Sequence, residues 1–339
     1  MSVTINDVAK EAGVSITTVS RVLNNNYPVK KETRLKIENA IEKLNYKPNV
    51  MARSLITKKT SMIGVVVPGI TNIFFPTIVE AIEKNIKHMG YNISLSNTTG
   101  DAFAEKDIIE NIIARQVDGI IVIDPRRENI ESGYYEDIAE NLPVVVINGY
   151  PHGEKCSFVC YDEEIGSREA FEYLISLGHK KIAFVRGHKS YSYDIKEKVY
   201  LETLDNNNLN YKKILDVGMG NSIEVVESTQ KLVEEMLRKG EIPTAIFACN
   251  DLMAVGAMNA CSNLDIKVPQ DVSIIGCDNT MIANISNPRL CSVDLDMNGI
   301  GKRAAEEMLK IIDNNSAQGK NITIKTKLIV RESCSRVNN

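Results

Sequence analysis

In this chain of 339 residues, side chains able to hold a polar ligand stand close behind short apolar runs. Asn72, Phe74 and Phe75 come after Ile63 to Val67, Asp124 after Gly119 to Ile123, and Asn148 after Val144 to Ile147. Arg186 comes after Ile182 to Val185, Asn250 and Asp251 after Ala245 to Ala248, and Asp278 after Val272 to Ile275. A carboxylate accepts from two neighbouring hydroxyls, an amide both donates and accepts, and a phenyl face packs on ring carbons. The set therefore predicts a site for a sugar or other polyol. Some members also fit a structural role: Phe74 and Phe75 suit a core and Asn250 suits a helix cap, whereas Asp278 has no such ready explanation.

Other chemistries find no support. The chain has no P-loop, no Gly-x-Ser-x-Gly and no paired-glycine fingerprint opening a helix, so no enzyme activity and no cofactor are expected. His88, His152, His179 and His188 form no pair on one helical face. The seven cysteines (Cys156, Cys160, Cys249, Cys261, Cys277, Cys291, Cys334) are scattered, several of them inside apolar runs. They read as reduced core thiols of a cytoplasmic protein, and the close pair Cys156 and Cys160, with His152 nearby, reads as structural and not as a metal site. With no apolar leader and no apolar stretch of helical spanning length, neither export nor membrane insertion is predicted.

The elements that must position the strand-end residues alternate. Short buried runs, Ile93 to Leu95 among them, are separated by amphipathic helical stretches from Ser61 onward, the pattern of parallel sheets covered on both faces. Ligands bind beyond the carboxyl ends of such strands. About 280 residues exceed one comfortable open sheet, so two lobes are expected, one at about 61–160 plus 293–320 and the other at about 161–292 plus 321–339. The helix around Pro76 to Met89 carries Ile78, Val79, Ile82, Ile86 and Met89, a stripe wide enough for its own sheet and little more.

The first sixty residues follow a different pattern. Ile5, Val8, Ala9 and Ala12 share one helical face behind a Thr4/Asp7 capping box, Gly13 supplies a turn, and Ser15 can cap a second helix with Ile16, Val19, Val22 and Leu23. A third helix over about 31–44 places Ile37, Ala40, Ile41 and Leu44 inward, and Pro48 ends it. This is a helix-turn-helix headpiece of residues 1–48, whose second helix is shaped for a major groove. Through residue 60 eleven Lys/Arg face five Asp/Glu, +6, in a chain of net charge −4, so the remainder carries −10. A basic module on an acidic body suits a polyanion-binding head on a soluble carrier.

The runs VTINDVAKEAGVSITTVSRVLNN and KETRLKIENAIEKLNYKPNVMARSL resemble the headpiece of the LacI/GalR family of bacterial transcription regulators, and the similarity extends to the RES near the C-terminus. The resemblance implies an α/β body like a periplasmic binding protein, with an effector bound between its lobes and residues 61–339 serving effector binding and dimerisation. It places Ile16, Thr17 and Arg21 at base-reading positions. Arg21 can donate two bonds to guanine O6 and N7, while Ile16 has only apolar contact to offer. Thr18 and Ser20 suit phosphate contacts or local caps, and Thr4, Ser15 and Asn24 complete the DNA-facing set. Residues 49–60 match a hinge that folds on the operator, pairs with a second subunit and drives a leucine, here Leu55, into a minor-groove step. The resemblance also places Phe74, Phe75, Asn148, Asn250 and Asp278 at effector positions.

Two departures bear on the ligand. Lys196 stands where the family usually has an arginine, a flexible point charge replacing a planar clamp. With Arg186 it suggests an anionic ligand such as a sugar phosphate. Asn72-Ile73-Phe74 matches a branch of the family corepressed by a phosphorylated carrier protein, but Glu306 and Glu307, on a helix expected over about 298–312, argue for repulsion of a phosphoserine and so for a small-molecule effector. The tail KLIVRESCSRVNN has no leucine heptads, so a homodimer on a pseudopalindromic double-stranded operator is expected, without a tetramerising coiled coil. Three functions compete: a DNA-binding regulator, a repressor by family habit, under small-molecule control; a solute-binding protein; and an enzyme. The basic head disfavours the second and the missing motifs the third.

Overall fold

The computed structural model describes residues 3–24, 27–47, 59–148, 154–314 and 319–337, and the chain divides into two compact units, 1–60 and 61–339. In the first unit, α1 (Ile5–Ala12), α2 (Ile16–Asn24) and α3 (Lys31–Lys43) follow the expected periodicity. Asp7 Oδ2 accepts from the Thr4 N–H at 2.9 Å and from its hydroxyl at 2.7 Å, forming the acidic half of the capping box. Gly13 stops α1 at φ 66°, in the left-handed region that glycine enters at no steric cost. Ser15 Oγ accepts the Thr18 N–H at 3.2 Å and so caps α2. Val8, Ala9, Val19, Val22, Ile37 and Ala40 form the buried core.

That core is small, so each member matters. Ile37 is fully buried, and Ile37→Ala should cost about 2–5 kcal/mol, a large share of a small unit's stability. The expected result is loss of duplex binding in a band-shift assay with the main calorimetric melting transition of the chain unmoved.

The second unit holds two six-stranded sheets. In lobe one β1 (Met62–Val67), β2 (Asn92–Asn97), β3 (Gly119–Ile123), β4 (Val144–Ile147), β5 (Ser157–Tyr161) and β11 (Asn321–Ile324) run parallel in the order β11-β5-β4-β3-β1-β2. In lobe two β6 (Ile182–Arg186), β7 (Lys213–Asp216), β8 (Ala245–Ala248), β9 (Ser273–Asp278), β10 (Cys291–Asp294) and β12 (Lys327–Ile329) take the order β12-β10-β9-β8-β6-β7, with β12 antiparallel to β10. The helices are α4 (Phe74–Lys87), α5 (Ala102–Ala114), α6 (Arg127–Glu131), α7 (Tyr134–Ala139), α8 (Glu163–Ser176), α9 (Tyr191–Asn206), α10 (Val225–Arg238), α11 (Asp251–Asn263), α12 (Met281–Ile285) and α13 (Met297–Asn314). β1, β3, β4, β8 and β9 are buried almost throughout, which is why they read as unbroken apolar runs.

Strand pairing corrects two expectations about where the chain crosses between lobes. β11 pairs with β5 and so belongs to lobe one, whereas the sequence pattern puts 321–339 in lobe two. β10 pairs with β9 through Asp294, past the expected crossing at 292. β11 is an edge strand with alternately exposed residues and presents no apolar run to read. The α4 stripe also does more than cover its own sheet: Ala81 meets α13 at Gly301, where an added Cβ would fall 2.7 Å from the Ile78 carbonyl oxygen. Met89 lies beyond the helix and is exposed.

Candidate functional site

The strand-end residues converge. Asn72, Phe74, Phe75, Asp124, Asn148, Lys196, Asn250 and Asp278 all line one cavity between the lobes. The cavity is narrow, about 30 Å³, far below the roughly 300–1,000 Å³ usual for small-molecule sites, so the lobes stand close together and must part to admit a ring. Asp124, Asn148 and Asp278 stand at φ 48°, 56° and 104°, left-handed backbone that Asp and Asn tolerate better than other non-glycine residues. Each directly ends or follows its strand, and the turn brings the side chain to the cavity.

A polar net organises the walls. Asp124 accepts Asn148 Nδ2 at 2.9 Å and, from the opposite lobe, Asn221 Nδ2 at 3.0 Å. Tyr193 donates its hydroxyl to Asn221 at 3.0 Å. Asn250 caps α11, accepting the Met253 N–H at 2.8 Å, and donates to the Gly220 carbonyl at 2.9 Å, so its structural role and its place at the cavity coexist. Asn72 accepts the Phe74 N–H at 3.1 Å. Phe74 and Phe75 meet edge to face at 5.2 Å, and Phe74 lies 6.0 Å from Tyr161. Both phenyl groups are buried and line the cavity, which again joins the two roles.

Lys196 and Glu163 form an ion pair at 2.9 Å, each side chain 3% exposed, and Lys196 donates to Ser192 at 2.6 Å. Burial works against charge on Lys196, and the anionic neighbours, Glu163 and Asp278 among them, outweigh it. Burial pushes Asp124 and Asp278 upward, against the Asn221 and Asn148 hydrogen bonds in the first case and with the nearby Asp251 in the second. Asp251 itself does not line the cavity. It accepts the Thr280 N–H and hydroxyl at 2.7 and 2.8 Å and the Ser292 hydroxyl at 2.6 Å, tying α11 to the end of β9.

Arg186 stands apart from the other expected ligand contacts. It does not line the cavity; its guanidinium bonds Glu197 and Asp194, the latter at 2.6 Å. The second Asp194 oxygen meets Arg127 of lobe one at 3.3 Å, and Arg127 lies over the Tyr191 ring at 4.8 Å. Arg186 thus holds a bridge between the lobes, and the expected Arg186/Lys196 cradle for an anion is not formed. Tyr161, Glu163, Ser190, Ser192, Tyr193, Asn221, Cys249 and Leu295 also line the cavity and were not anticipated. Tyr161 ends β5 and Glu163 opens α8, but the run SFVCY is broken by Ser and Cys. Asn221 lies in a loop and carries no periodic signal.

In the headpiece, Thr17 and Arg21 are exposed on α2, Thr18 and Ser20 are half-buried, and Ile16 is 48% exposed, so its side chain does not pack beneath the helix. Thr4 and Ser15 are exposed and engaged in caps. The Asn24 side chain and the hinge with Leu55 lie outside the described residues. Among the described residues no group of three or more His, Cys, Asp or Glu is placed to hold a metal, and no helix is long and apolar enough to cross a membrane.

Comparison with known proteins decides the family. Residues 4–49 match the lacI family of bacterial regulatory proteins, and residues 171–334 match a periplasmic binding protein-like domain. The chain is 35% identical to catabolite control protein A of Priestia megaterium over 98% of its own length and 99% of the relative's. The chain belongs to the lacI family. Its members are DNA-binding transcription regulators, and that is the function of this chain. It is also 32% identical to catabolite control protein A of Staphylococcus epidermidis, covering 98% and 99% of the two chains. A lac repressor dimer solved with operator and the anti-inducer ONPF superposes with a TM-score of 0.87 at 28% identity, over 99% and 100% of the two chains.

For this lacI family member the expected repulsion of phosphoserine by α13 needs correction. Glu307 is buried, 3.4 Å from Ser157 Oγ and 3.7 Å from Lys320, and Glu306 pairs with Arg303 at 3.1 Å and Lys302 at 3.9 Å. The outer face is therefore not acidic, and the preference for a small-molecule effector rests on the cleft alone.

The buried acids set a pH dependence. Burial pushes the Asp251 carboxyl from 3.8 up to about 6. A raised carboxyl adds stability below its unfolded value and loses it as pH climbs through its folded value. Between about pH 4 and about pH 7 the Asp251→Asn chain should therefore lose less melting temperature per pH unit than the parent, as read by thermal melts across that range.

Proposed function

We propose that the chain is a cytoplasmic repressor that binds a pseudopalindromic operator as a homodimer and is controlled by a sugar or sugar derivative held between its lobes. The observation that carries the reading is the convergence of eight of the nine anticipated ligand residues on one interlobe cavity. Amides and carboxylates beside phenyl faces suit ring hydroxyls and ring carbons. The lac repressor relative, whose solved form contains both operator and anti-inducer, supports the same pairing of functions. A ligand that prefers one arrangement of the lobes shifts their equilibrium by its difference in affinity, and operator affinity shifts with it.

On DNA, Arg21 reads a guanine and Thr17 and Ile16 flank it, with Thr4, Ser15, Thr18, Ser20 and Asn24 on the backbone and Leu55 as the minor-groove wedge. Arg21→Ala should weaken operator binding by about 1–3 kcal/mol and relax the choice of base at one position in each half-site. Band shifts at several salt concentrations and with base-substituted operators check this; equal affinity for every base in the parent chain removes the assignment.

A second copy covers an apolar patch that spans both lobes. Phe103 on α5 is 84% exposed, and Ile70, Met219 and Ile223 are exposed where the lobes adjoin: the Ile223 N–H lies 3.4 Å from Thr71 Oγ1, and Met219 Cε lies 3.1 Å from where a Cβ on Gly100, three residues before Phe103, would stand. Phe103→Glu places a charge in that interface and should halve the mass seen by sedimentation velocity while leaving the melting transition in place.

A further inference from the structure

Acidic groups outnumber cations three to one along the cleft. Asp124, Glu163 and Asp278 line the cavity together with one cation, Lys196. Lys196 is already engaged by Ser192 at 2.6 Å and Glu163 at 2.9 Å. Of the other cations nearby, Arg126 lies 3.9 Å from Glu128 and favours the charged form of Asp124 but does not line the cavity, and Arg186 is held by Asp194 and Glu197.

Unpartnered groups in the same cavity give an independent sign of a missing ligand. The Tyr161 hydroxyl, on a residue 5% exposed, makes no hydrogen bond, and the Glu163 carboxylate, on a residue 4% exposed, has the Lys196 ion pair but no hydrogen-bond donor on its other oxygen. Buried polar atoms are nearly always satisfied, so these mark positions where a bound molecule supplies the partner. The two sets of atoms ask for different things. The hydroxyl takes a donor or an acceptor, while a carboxylate oxygen takes only a donor, and a charged donor bonds it most strongly.

We propose that the effector is an amino sugar in its ammonium form, its N–H groups on the Glu163 and Asp278 carboxylates, its ring against Phe74 and Phe75, and its hydroxyls on the cleft amides. This rests on the reading of the cleft as a sugar site. A neutral hexose would satisfy the amides but leave the crowded acid groups without a counter-ion, and a sugar phosphate would bring a further negative group beside them. An ammonium brings three donors and one positive charge into a space bounded by carboxylates.

Isothermal titration calorimetry on the full chain tests the assignment with glucosamine, galactosamine and mannosamine against their parent hexoses, their N-acetyl derivatives and glucose 6-phosphate. At least one free amino sugar should bind ten-fold or more tighter than both its parent hexose and its N-acetyl form, and Glu163→Gln should erase that preference. If Glu163→Gln does not fold, as a melt will show, Asp278→Asn carries the same test. A hexose or the phosphate binding as tightly as the best amino sugar overturns the charge assignment and leaves the sugar site standing. Binding by none of the compounds overturns both.

Discussion

Lys196 and Glu163 hold opposite charges 2.9 Å apart at positions almost closed to water, and the chemistry of the cleft depends on that pair. Removing one partner from such a pair leaves a buried charge alone, at a cost of about 3–5 kcal/mol. The pair also fixes what Lys196 can do. An ammonium that serves Ser192 and Glu163 has little left for a ligand, whereas a guanidinium at the same place would carry a second donor edge. The cation at this place is therefore spent on its neighbours. Burial pushes Asp124 and Asp278 upward, and the nearby cations, Arg126 for the first and Lys196 for the second, offset only part of it.

The backbone serves the same end. Asp124, Asn148 and Asp278 sit at positive φ at the ends of β3, β4 and β9. Non-glycine residues in that region store roughly 1–3 kcal/mol each and persist where the surroundings fix them. Here the surroundings are strands buried on both faces, continuous with the main core. Strain, buried charge and unpartnered oxygens gather within one cavity, while the helices and strands that carry it follow ordinary propensity, capping and burial. That division is expected where a fold concentrates its local conflicts at a binding site.

How much of this was legible in the sequence depended on whether a residue belonged to a repeating pattern. Val8, Val19 and Ile37 could be placed in the headpiece core because helical spacing marks them, and Gly13 because only a turn explains it. Asp124, Asn148 and Asp278 could be placed at the site because unbroken apolar runs locate strand ends. Glu163, Tyr193 and Asn221 could not, since a helix start, a helix face and a loop give no sign of which way a side chain points in three dimensions. Arg186 shows the opposite failure. Its position at the end of β6 is legible, but Asp194 and Glu197, one and two turns along α9, claim its guanidinium first. Short-range pairing of this kind depends on side-chain geometry that spacing alone does not supply. β11 and β12 were missed because edge strands half open to water need no apolar run.

The contacts that draw the lobes together are of a different strength from those that build each lobe. Arg127 to Asp194 joins side chains that are 46% and 43% exposed, and such pairs contribute about 0–1 kcal/mol. The Tyr191 hydroxyl on Glu131 at 3.1 Å and Asn221 on Asp124 at 3.0 Å add polar bonds whose net worth is about 0.5–1.5 kcal/mol each. Against them stands the surplus of carboxylates brought close by the same approach. The balance between closed and open lobes is thus a small difference between modest terms, while each sheet is held by its own apolar core. A ligand moves such an equilibrium by its preference for one state, and about 5.5 kcal/mol of preference suffices to reverse a ratio of 1:99. Binding energy in the micromolar to nanomolar range covers that amount. The same crowding of acid groups that weakens the empty closed form is what a matching ligand relieves, so affinity and conformational preference arise from one set of atoms.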